Sequence, residues 1–309
     1  MRIAIGLCTL AVLILLLPAG LLMAGDTAAS VDSSKPAAAA DDGAATYQLR
    51  YQFKPGEVFR CKVTHLTTVD TKIRGVAETA QTRSVSTKAW KVTGVDPQGK
   101  ITFTYTVEDA SMWQQLSGRP EVRYDSSKDK APPAGYEHVA ESVGQPMATV
   151  TIGPSGEIVR REHARPQFNP GIGELTVPLP AHAVKVGASW TKEGELPIRL
   201  PGGTVKRVKL RHVYELKNVQ TGVATIEART EVLTPIDDPA VQSQLVQRVK
   251  RGEIKFDVDA GRVLQQQMDV DETVIGFSGP DSMMKYLARL TEEMVEQKNV
   301  ARRAGPARQ

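Results

Sequence analysis

The sequence predicts a mainly β protein (α+β in class): two related antiparallel-sheet units with curved sheets, a few short helices and a C-terminal helix. Three observations carry this. Apolar residues alternate with polar ones over short runs, the period-two signature of a strand with one buried face. Glycine-bearing turn signals separate those runs. One series of landmarks also occurs twice: FKPGEVF at 53–59 and VKVGASW at 184–190 share an apolar residue, Lys, Gly and an aromatic at the same spacing. Each is followed by two Gly-turn hairpin signals in the same order, which points to an internal duplication.

The elements follow in order. Tyr47, Leu49, Tyr51 and Phe53 alternate with polar residues and predict a strand, broken by Pro55 and Gly56. Val58 to Val69 resumes as a Thr/Val-rich strand. Strands at 84–95 and 100–108 flank Asp96-Pro-Gln-Gly99, and strands at 147–152 and 157–160 flank Gly153-Pro-Ser-Gly156. In the second unit, 184–192 opens the series. Strands at 204–219 and 223–233 then flank Gln220-Thr-Gly222, and strands at 252–258 and 262–274 flank Asp259-Ala-Gly261. Aligning the hairpins on their glycines matches Ile101 and Phe103 to Ala224 and Ile226. It also matches Ala148, Val150 and Ile152 to Ile254, Phe256 and Val258, with both second-unit turns one residue shorter. Between hairpins each unit carries a helix: one from Asp238 as N-cap and Pro239 at the first helical position to about Arg251, and a weaker counterpart at 136–143. Residues 281–300 read as a helix with Met283, Met284, Leu287, Leu290, Met294 and Val295 on one broad face.

The chain divides accordingly. Residues 1–25 are a signal peptide or N-terminal membrane anchor: Arg2 precedes an uncharged, apolar run at 3–24 that approaches the roughly 20 residues needed to span a bilayer. Small residues at Ala24, Gly25, Ala28 and Ala29 suit cleavage, whereas Leu22 and Asp26 suit it badly at the upstream recognition position. Either outcome places the body outside the cytoplasm. Residues 26–46, rich in Ala, Asp, Ser, Gly and Pro, are expected to be a disordered linker. Unit 1 spans 47–170, unit 2 spans 171–277, the C-terminal helix 278–300, and a disordered basic tail 301–309. Without the leader, Cys61 is the only cysteine, so an ordinary hydrophobic core holds the body rather than an intramolecular disulfide.

Composition and spacing exclude more chemistry than they offer. A net charge of +4 over 309 residues is mild, and nucleic-acid binding, which needs a concentrated basic face, is not expected. The one basic stretch, 206–212, places Arg207, Lys209 and Arg211 on one strand face and Val208 and Leu210 on the other. It reads as a solvated outer face, with contact to anionic lipid head groups or an acidic polymer as the alternative. The histidines His65, His138, His163, His182 and His212 lack the His-Glu-x-x-His spacing of zinc proteases. Glu137, His138 and Glu141 share a short helix but have nothing to complete a metal shell. Asp257, Asp259, Asp269, Asp271 and Glu272 suggest calcium, yet the equivalent first-unit turn at 153–156 has no carboxylate. Cys61 alternates with Phe59 and Val63 and reads as an inert buried thiol. No nucleophile elbow, phosphate loop or dinucleotide fingerprint occurs. No catalytic, cofactor-binding or metal-ligating residue is assigned, and no cofactor is expected.

The leader segment, LRYQFKPGEVFR, WKVTGVDPQGKITFTYTVEDA, VTIGPSGEIVRRE and LPAHAVKVGASW together resemble a family of secreted, β-rich bacterial proteins known as a domain of unknown function. The resemblance covers most of 47–277 and implies a fold; no functional residues come with it. Strands such as IKFDVDAGRVLQQQ at 254–267 also resemble periplasmic lipoprotein carriers. That resemblance implies a curved, half-open sheet whose concave apolar face holds acyl chains beneath covering helices, although the present chain has two units and a long linker.

The expected function is a non-enzymatic extracytoplasmic binding protein with an apolar or lipid-like ligand on a concave sheet face. Membrane contact is expected only through the N-terminal segment, if it is retained. The alternatives are a cell-envelope structural or interaction protein, with an envelope protein as partner and no small ligand, and a hydrolase with a dispersed site.

Overall fold

The computed structural model describes residues 45–163, 176–200 and 203–295. Its elements, in chain order, are β1 (Thr46–Tyr47), β2 (Val58–Ile73), β3 (Val76–Val95), β4 (Ile101–Leu116), β5 (Val122–Asp125), α1 (Glu137–Ser142), β6 (Pro146–Ile152) and β7 (Ile158–His163). There follow β8 (Val184–Lys185), β9 (Ser189–Arg199), β10 (Val205–Gln220), β11 (Val223–Val232), α2 (Pro239–Leu245), a 3-10 turn at Val246–Arg248, β12 (Arg251–Asp257), β13 (Arg262–Ile275) and β14 (Met283–Val295). β1 and β8 form a two-stranded ribbon. The other twelve strands make one antiparallel sheet in the order β7-β6-β4-β3-β2-β14-β13-β12-β11-β10-β9, with β5 paired to β4 off that path. The fold is mainly β with few short helices, and the sheet does not close into a barrel.

The expected C-terminal helix is a strand instead. β14 pairs with β13 from Ile275↔Met283 to Gln265↔Glu293, and with β2 from Met283↔Lys72 to Val295↔Arg60. Left alone, β2 and β13 would each expose a row of unpaired backbone groups, and satisfying both rows outweighs local helix preference. Met284, Tyr286, Leu290 and Glu292 alternate along the inner face of β14 and are buried. Glu292 interrupts the apolar alternation, and the apolar Met283, Leu287 and Val295 on the other face complete a spurious helical stripe. Residues 296–300 lie outside the described residues, as do the expected leader, nearly all of the linker, and the basic tail.

The first predicted strand is only partly one. β1 stops at Tyr47, and the following segment runs extended through the core: Leu49 and Tyr51 are buried. The Tyr51 amide donates to Pro154 O at 2.8 Å and the Gln52 amide to Gly261 O at 3.0 Å. The alternation is therefore real, but its backbone partners are two hairpin turns rather than a neighbouring strand. Both internal helices are present. Asp238 caps α2 by accepting from the Ala240 amide, and the helical stretch ends at Arg248 because Arg251 already starts β12.

The two landmark heptapeptides do the same structural job. Gly56, at φ 82°, donates to Val92 O, and Gly187, at φ 88°, donates to Leu216 O. Val92 and Leu216 donate back to Glu57 O and Ala188 O. Each receiving strand carries a bulge at the same place, between Val92 and Gly94 on β3 and between Leu216 and Asn218 on β10. Cross-strand pairs also correct the second-hairpin alignment. Ile101 faces Ile152, and its counterpart Ala224 faces Phe256, so Ile152 matches Phe256 and not Val258. The reason is that Asp257 accepts from the Asp259 and Ala260 amides, starting the turn early and lengthening it.

The inner faces of both halves meet in one core. Trp90, Val92, Ile101, Phe103, Val150 and Ile152 pack in the same cluster as Leu216, Ile226, Ile254 and Phe256, with Leu49 and Tyr51 between them. Strands so far apart in the sheet order reach one cluster only if the sheet curls about its centre, β2-β14-β13. The mouth of the curl is tied by residues 176–179: the Leu179 amide donates to Ser155 O, and the Trp190 indole to Pro178 O. Tyr51 Oη accepts from the Val177 amide at 2.7 Å and donates to Val177 O at 3.1 Å. The open edge strand β9 carries Lys192, Glu193, Glu195 and Pro197, a composition that discourages pairing by another chain.

A glycine comparison tests this packing. A Cβ at Gly261 (φ 63°) would lie 2.7 Å from Arg50 O and Gln52 N, whereas one at Gly56 would meet nothing within 4 Å. Gly56→Ala should therefore lose only the left-handed backbone penalty of about 1–2 kcal/mol. Gly261→Ala should lose clearly more, because the Tyr47–Phe53 segment must also move. Urea denaturation of both variants reads the difference.

Candidate functional site

At one end of the β2-β14-β13 spine the inner face leaves a cleft. It is walled by Tyr51, Phe53 and Phe59, with Val263, Leu264 and Met294 opposite, Arg262 at the rim, and Cys61, Gln266 and Glu292 at the floor. The space in it that can hold a water-sized body is about 20 Å³. Phe53 stacks on Phe59 at 5.0 Å between ring centroids and meets Phe103 edge-on at 5.2 Å, so the walls are continuous with the core. Arg262 lies over Phe53 at 5.1 Å and forms an ion pair with Glu57 at 2.6 Å.

The floor is polar. Cys61 pairs across strands with Lys88 on one side and Met294 on the other, and Glu292 pairs with Val63 and Gln266. Alternation along β3 then directs Lys88 to the same face as Trp90, and both are buried. Gln266 Nε2 donates to the Glu292 carboxylate at 2.7 Å, and Cys61 lines the same floor. Lys88 Nζ sits 5.9 Å from the centre of the Tyr105 ring. Burial pushes the Cys61 thiol far above its ordinary range, with the Glu292 charge adding to the effect. Burial also raises the Tyr105 hydroxyl and lowers the Lys88 ammonium, the latter opposed by Glu292.

A second polar chain lies further along the same face. Tyr286 and Thr67 are buried near neighbours across β14 and β2, and Thr67 Oγ1 lies 3.3 Å from His65 Nε2. Burial, with the Lys250 charge second, pushes His65 down to about 4.

The remaining sequence candidates stay apart. Among the described residues no three His, Cys, Asp or Glu side chains converge in a way that could hold a metal ion. Asp257 caps its own turn, Asp269 is paired with Arg289 at 2.7 Å, and Glu137 accepts from the Gly135 amide. His182 is exposed, His212 bonds Thr230, and the side chain of His163 lies outside the described residues. The basic stretch faces acids on β9: Arg207 pairs with Glu195 at 3.4 Å and Arg211 with Glu193 at 2.8 Å. The cleft itself was missed from sequence, because a lone Lys or Glu in a strand reads as a solvated position.

Comparison with known proteins adds no family. No family model matches the chain, and no curated protein matches it. A lipovitellin structure described by its lipid–protein interactions is similar over 79% of this chain at 12% identity and a TM-score of 0.44, and the chain spans only about a quarter (26%) of that protein. DynF, from the dynemicin biosynthesis pathway of Micromonospora chersina, is similar over 82% of this chain and 85% of its own, at 7% identity and a TM-score of 0.21. Among the described residues no helix is long and apolar enough to cross a membrane.

The buried groups give two expectations. In native protein at pH 8, iodoacetamide should leave Cys61 unmodified and should modify it fully in urea; modification in the folded state would contradict the geometry. His65 stays neutral when folded down to about pH 4, whereas the unfolded chain takes the proton near 6.5. Its contribution is therefore complete above pH 6.5 and is lost as pH falls towards 4, by about 3 kcal/mol at most. His65→Gln should flatten that part of the stability–pH curve, measured by urea denaturation at pH 7 and pH 4.5.

Proposed function

We propose that the protein is a non-enzymatic extracytoplasmic binding protein that holds the end of an apolar ligand on the concave face of its curled sheet. The observation that supports this most is the cleft whose walls are Tyr51, Phe53, Phe59, Leu264 and Met294 and whose floor holds a few buried polar groups. A mostly apolar concavity with sparse, placed polar groups is the general form of a small-molecule site. Its enclosed space is about 20 Å³, room for about one water, so the end of a chain enters only as the walls yield and the rest lies along the mouth. Met294, unbranched and adaptable, is the wall residue best able to yield. The extracytoplasmic part of the proposal rests on Arg2 and the uncharged run at 3–24. No catalytic step is proposed: Glu292 is already bonded to Gln266, and no histidine is among the described cleft residues.

A second reading, an envelope interaction protein, is favoured by a different feature. Ile275 is 68% exposed, and Met283, its cross-strand partner, is exposed on the same face of the sheet. An Ile275→Ser/Met283→Ser variant that loses envelope association while the cleft is unaffected would favour that reading.

The apolar-ligand proposal predicts that protein purified from its native envelope carries extractable lipid detectable by mass spectrometry. It also predicts that the neutral apolar dye 1-N-phenylnaphthylamine gains fluorescence on binding, and that Met294→Trp, which fills the cleft, weakens this at least tenfold. Absence of both lipid and dye binding would sink the proposal.

A further inference from the structure

The convex outer face of the sheet carries a row of arginines set between apolar side chains. Cross-strand register aligns Arg123, Trp113, Arg83, Leu66 and Arg289 in one line across β5, β4, β3, β2 and β14. The buried Tyr124, Ala110, Val63 and Leu290 lie on the inner face, so alternation turns the whole line outward. The side chains of Arg123 and Arg289 are 70% and 55% exposed, Leu66 is 41% exposed, and Arg83 is exposed. We propose that this row binds a linear acidic polysaccharide, with a carboxylate on alternate sugars, laid across the strands.

Donor supply comes first. A guanidinium has five N–H donors in a planar fork that fits a carboxylate. Arg123 spends two of them on Glu121 and Arg289 two on Asp269, which leaves three on each. Arg83 has no hydrogen-bond or ion-pair partner among the described residues. Spacing comes second. The three arginines stand on every second strand, about 9.5 Å apart at the backbone, which suits charges on alternate sugars of an extended polymer. Trp113 and Leu66 fill the strands between them and offer apolar surface to the C–H faces of the intervening rings. Glu121 holds this arrangement, because the Trp113 indole donates at 2.9 Å to the same carboxylate that binds Arg123.

The surroundings set the limits of the site. The flanking rows are uncharged on the three central strands, with Val85, Thr64 and Thr291 on one side and Gln81, Thr68 and Leu287 on the other. Acids border the patch at Asp125, paired with Lys128 at 2.9 Å, and at Asp271 beside Leu287. Beyond β14 the line continues through Asp269 to Arg251 and Arg229. Glu253, Glu227 and Glu231 flank those two arginines on their own strands, so the anion site ends at β14. The row also runs around the curl of the sheet. A flat membrane would touch a convex face along the strands, where Arg83 has only Gln81 and Val85 as same-face neighbours. A flexible polymer can follow the curvature and reach all three arginines.

Fluorescence anisotropy with fluorescein-labelled hyaluronate oligosaccharides, which carry a carboxylate on alternate sugars, tests this at low salt. The protein should bind them and should not bind labelled neutral dextran. Arg83→Gln should weaken hyaluronate binding about tenfold, because charge-assisted bonds are lost. Arg229→Gln, on the same face but beyond the site, should change it less than about twofold. No hyaluronate binding, unchanged binding by Arg83→Gln, or an equal loss in both variants overturns the proposal. Polygalacturonate, charged on every sugar, should bind no more tightly than hyaluronate of equal length. Tighter binding would mean that charge density and not spacing selects the polymer, which also overturns it. Phosphatidylglycerol vesicles that bind through Arg83 where hyaluronate does not would identify a membrane surface instead and overturn it likewise. The row and the cleft lie on opposite faces, so 1-N-phenylnaphthylamine binding should be unchanged in Arg83→Gln, and either reading can fail without the other.

Discussion

The pairing of β14 on both of its edges is the constraint on which the rest of the structure depends. Each half of the chain builds its own run of strands, from β2 to β7 and from β9 to β13, and each run ends with backbone groups in need of partners. β14 supplies them to β2 and β13 together, converting two half-sheets into one. A continuous sheet of this breadth cannot stay flat, because strand twist accumulates and one face is strongly apolar. Curling about β14 is what brings Phe103 and Phe256 into a common core.

The curl leaves a seam, and the extended segment around Tyr51 fills it. Its two backbone donors are spent on Pro154 in one half and Gly261 in the other, and its hydroxyl is shared with Val177. One short stretch therefore connects both second hairpins and the linker between halves. The matching Gly56–Val92 and Gly187–Leu216 bonds, each beside a bulge, bend the two receiving strands alike, so that the two inner faces present similar curvature to each other. The cleft opens at the end of the β14 spine, where this filling segment passes Phe59 and Met294.

Much of this was legible in the sequence, and the parts that were not share a physical cause. The turns at Gly99, Gly156, Gly222 and Gly261 were readable because a left-handed backbone leaves few residue choices. Alternation of Ile101 with Phe103 and of Ile254 with Phe256 gave the buried faces. The Ile73-Arg74-Gly75-Val76 turn went unread although it is a two-residue hairpin turn with φ of 50° and 82°, since Arg is an uncommon occupant of its first position. β14 was hidden because Glu292 stands where a strand reading needs an apolar residue. The cleft was hidden for the same reason and one more: its residues come from 51–61, 262–266 and 292–294, and only the pairing of β14 unites them. Local pattern carries turns and faces, whereas a long-range pairing that hides charge leaves almost no local signature.

That hidden charge bears on the constraint itself. The buried Glu292 carboxylate and the Gln266 amide bonded to it act on register. A one-residue slip of β14 would turn every side chain over, exposing Met284, Tyr286 and Leu290 and driving Lys285 and Arg289 into the interior. It would also carry Glu292 to the surface and leave the buried Gln266 amide without its acceptor. A two-residue slip keeps the faces but moves Glu292 away from Gln266, breaking a buried charge-assisted bond of 2.7 Å. The apolar pattern of β14 is thin, with Thr291 and Glu293 flanking Glu292, and it would penalise such a slip weakly near the cleft. The buried Gln266–Glu292 bond penalises it strongly at that point. Glu292, bonded to Gln266, thus both holds the central strand in place and lies at the floor of the cleft.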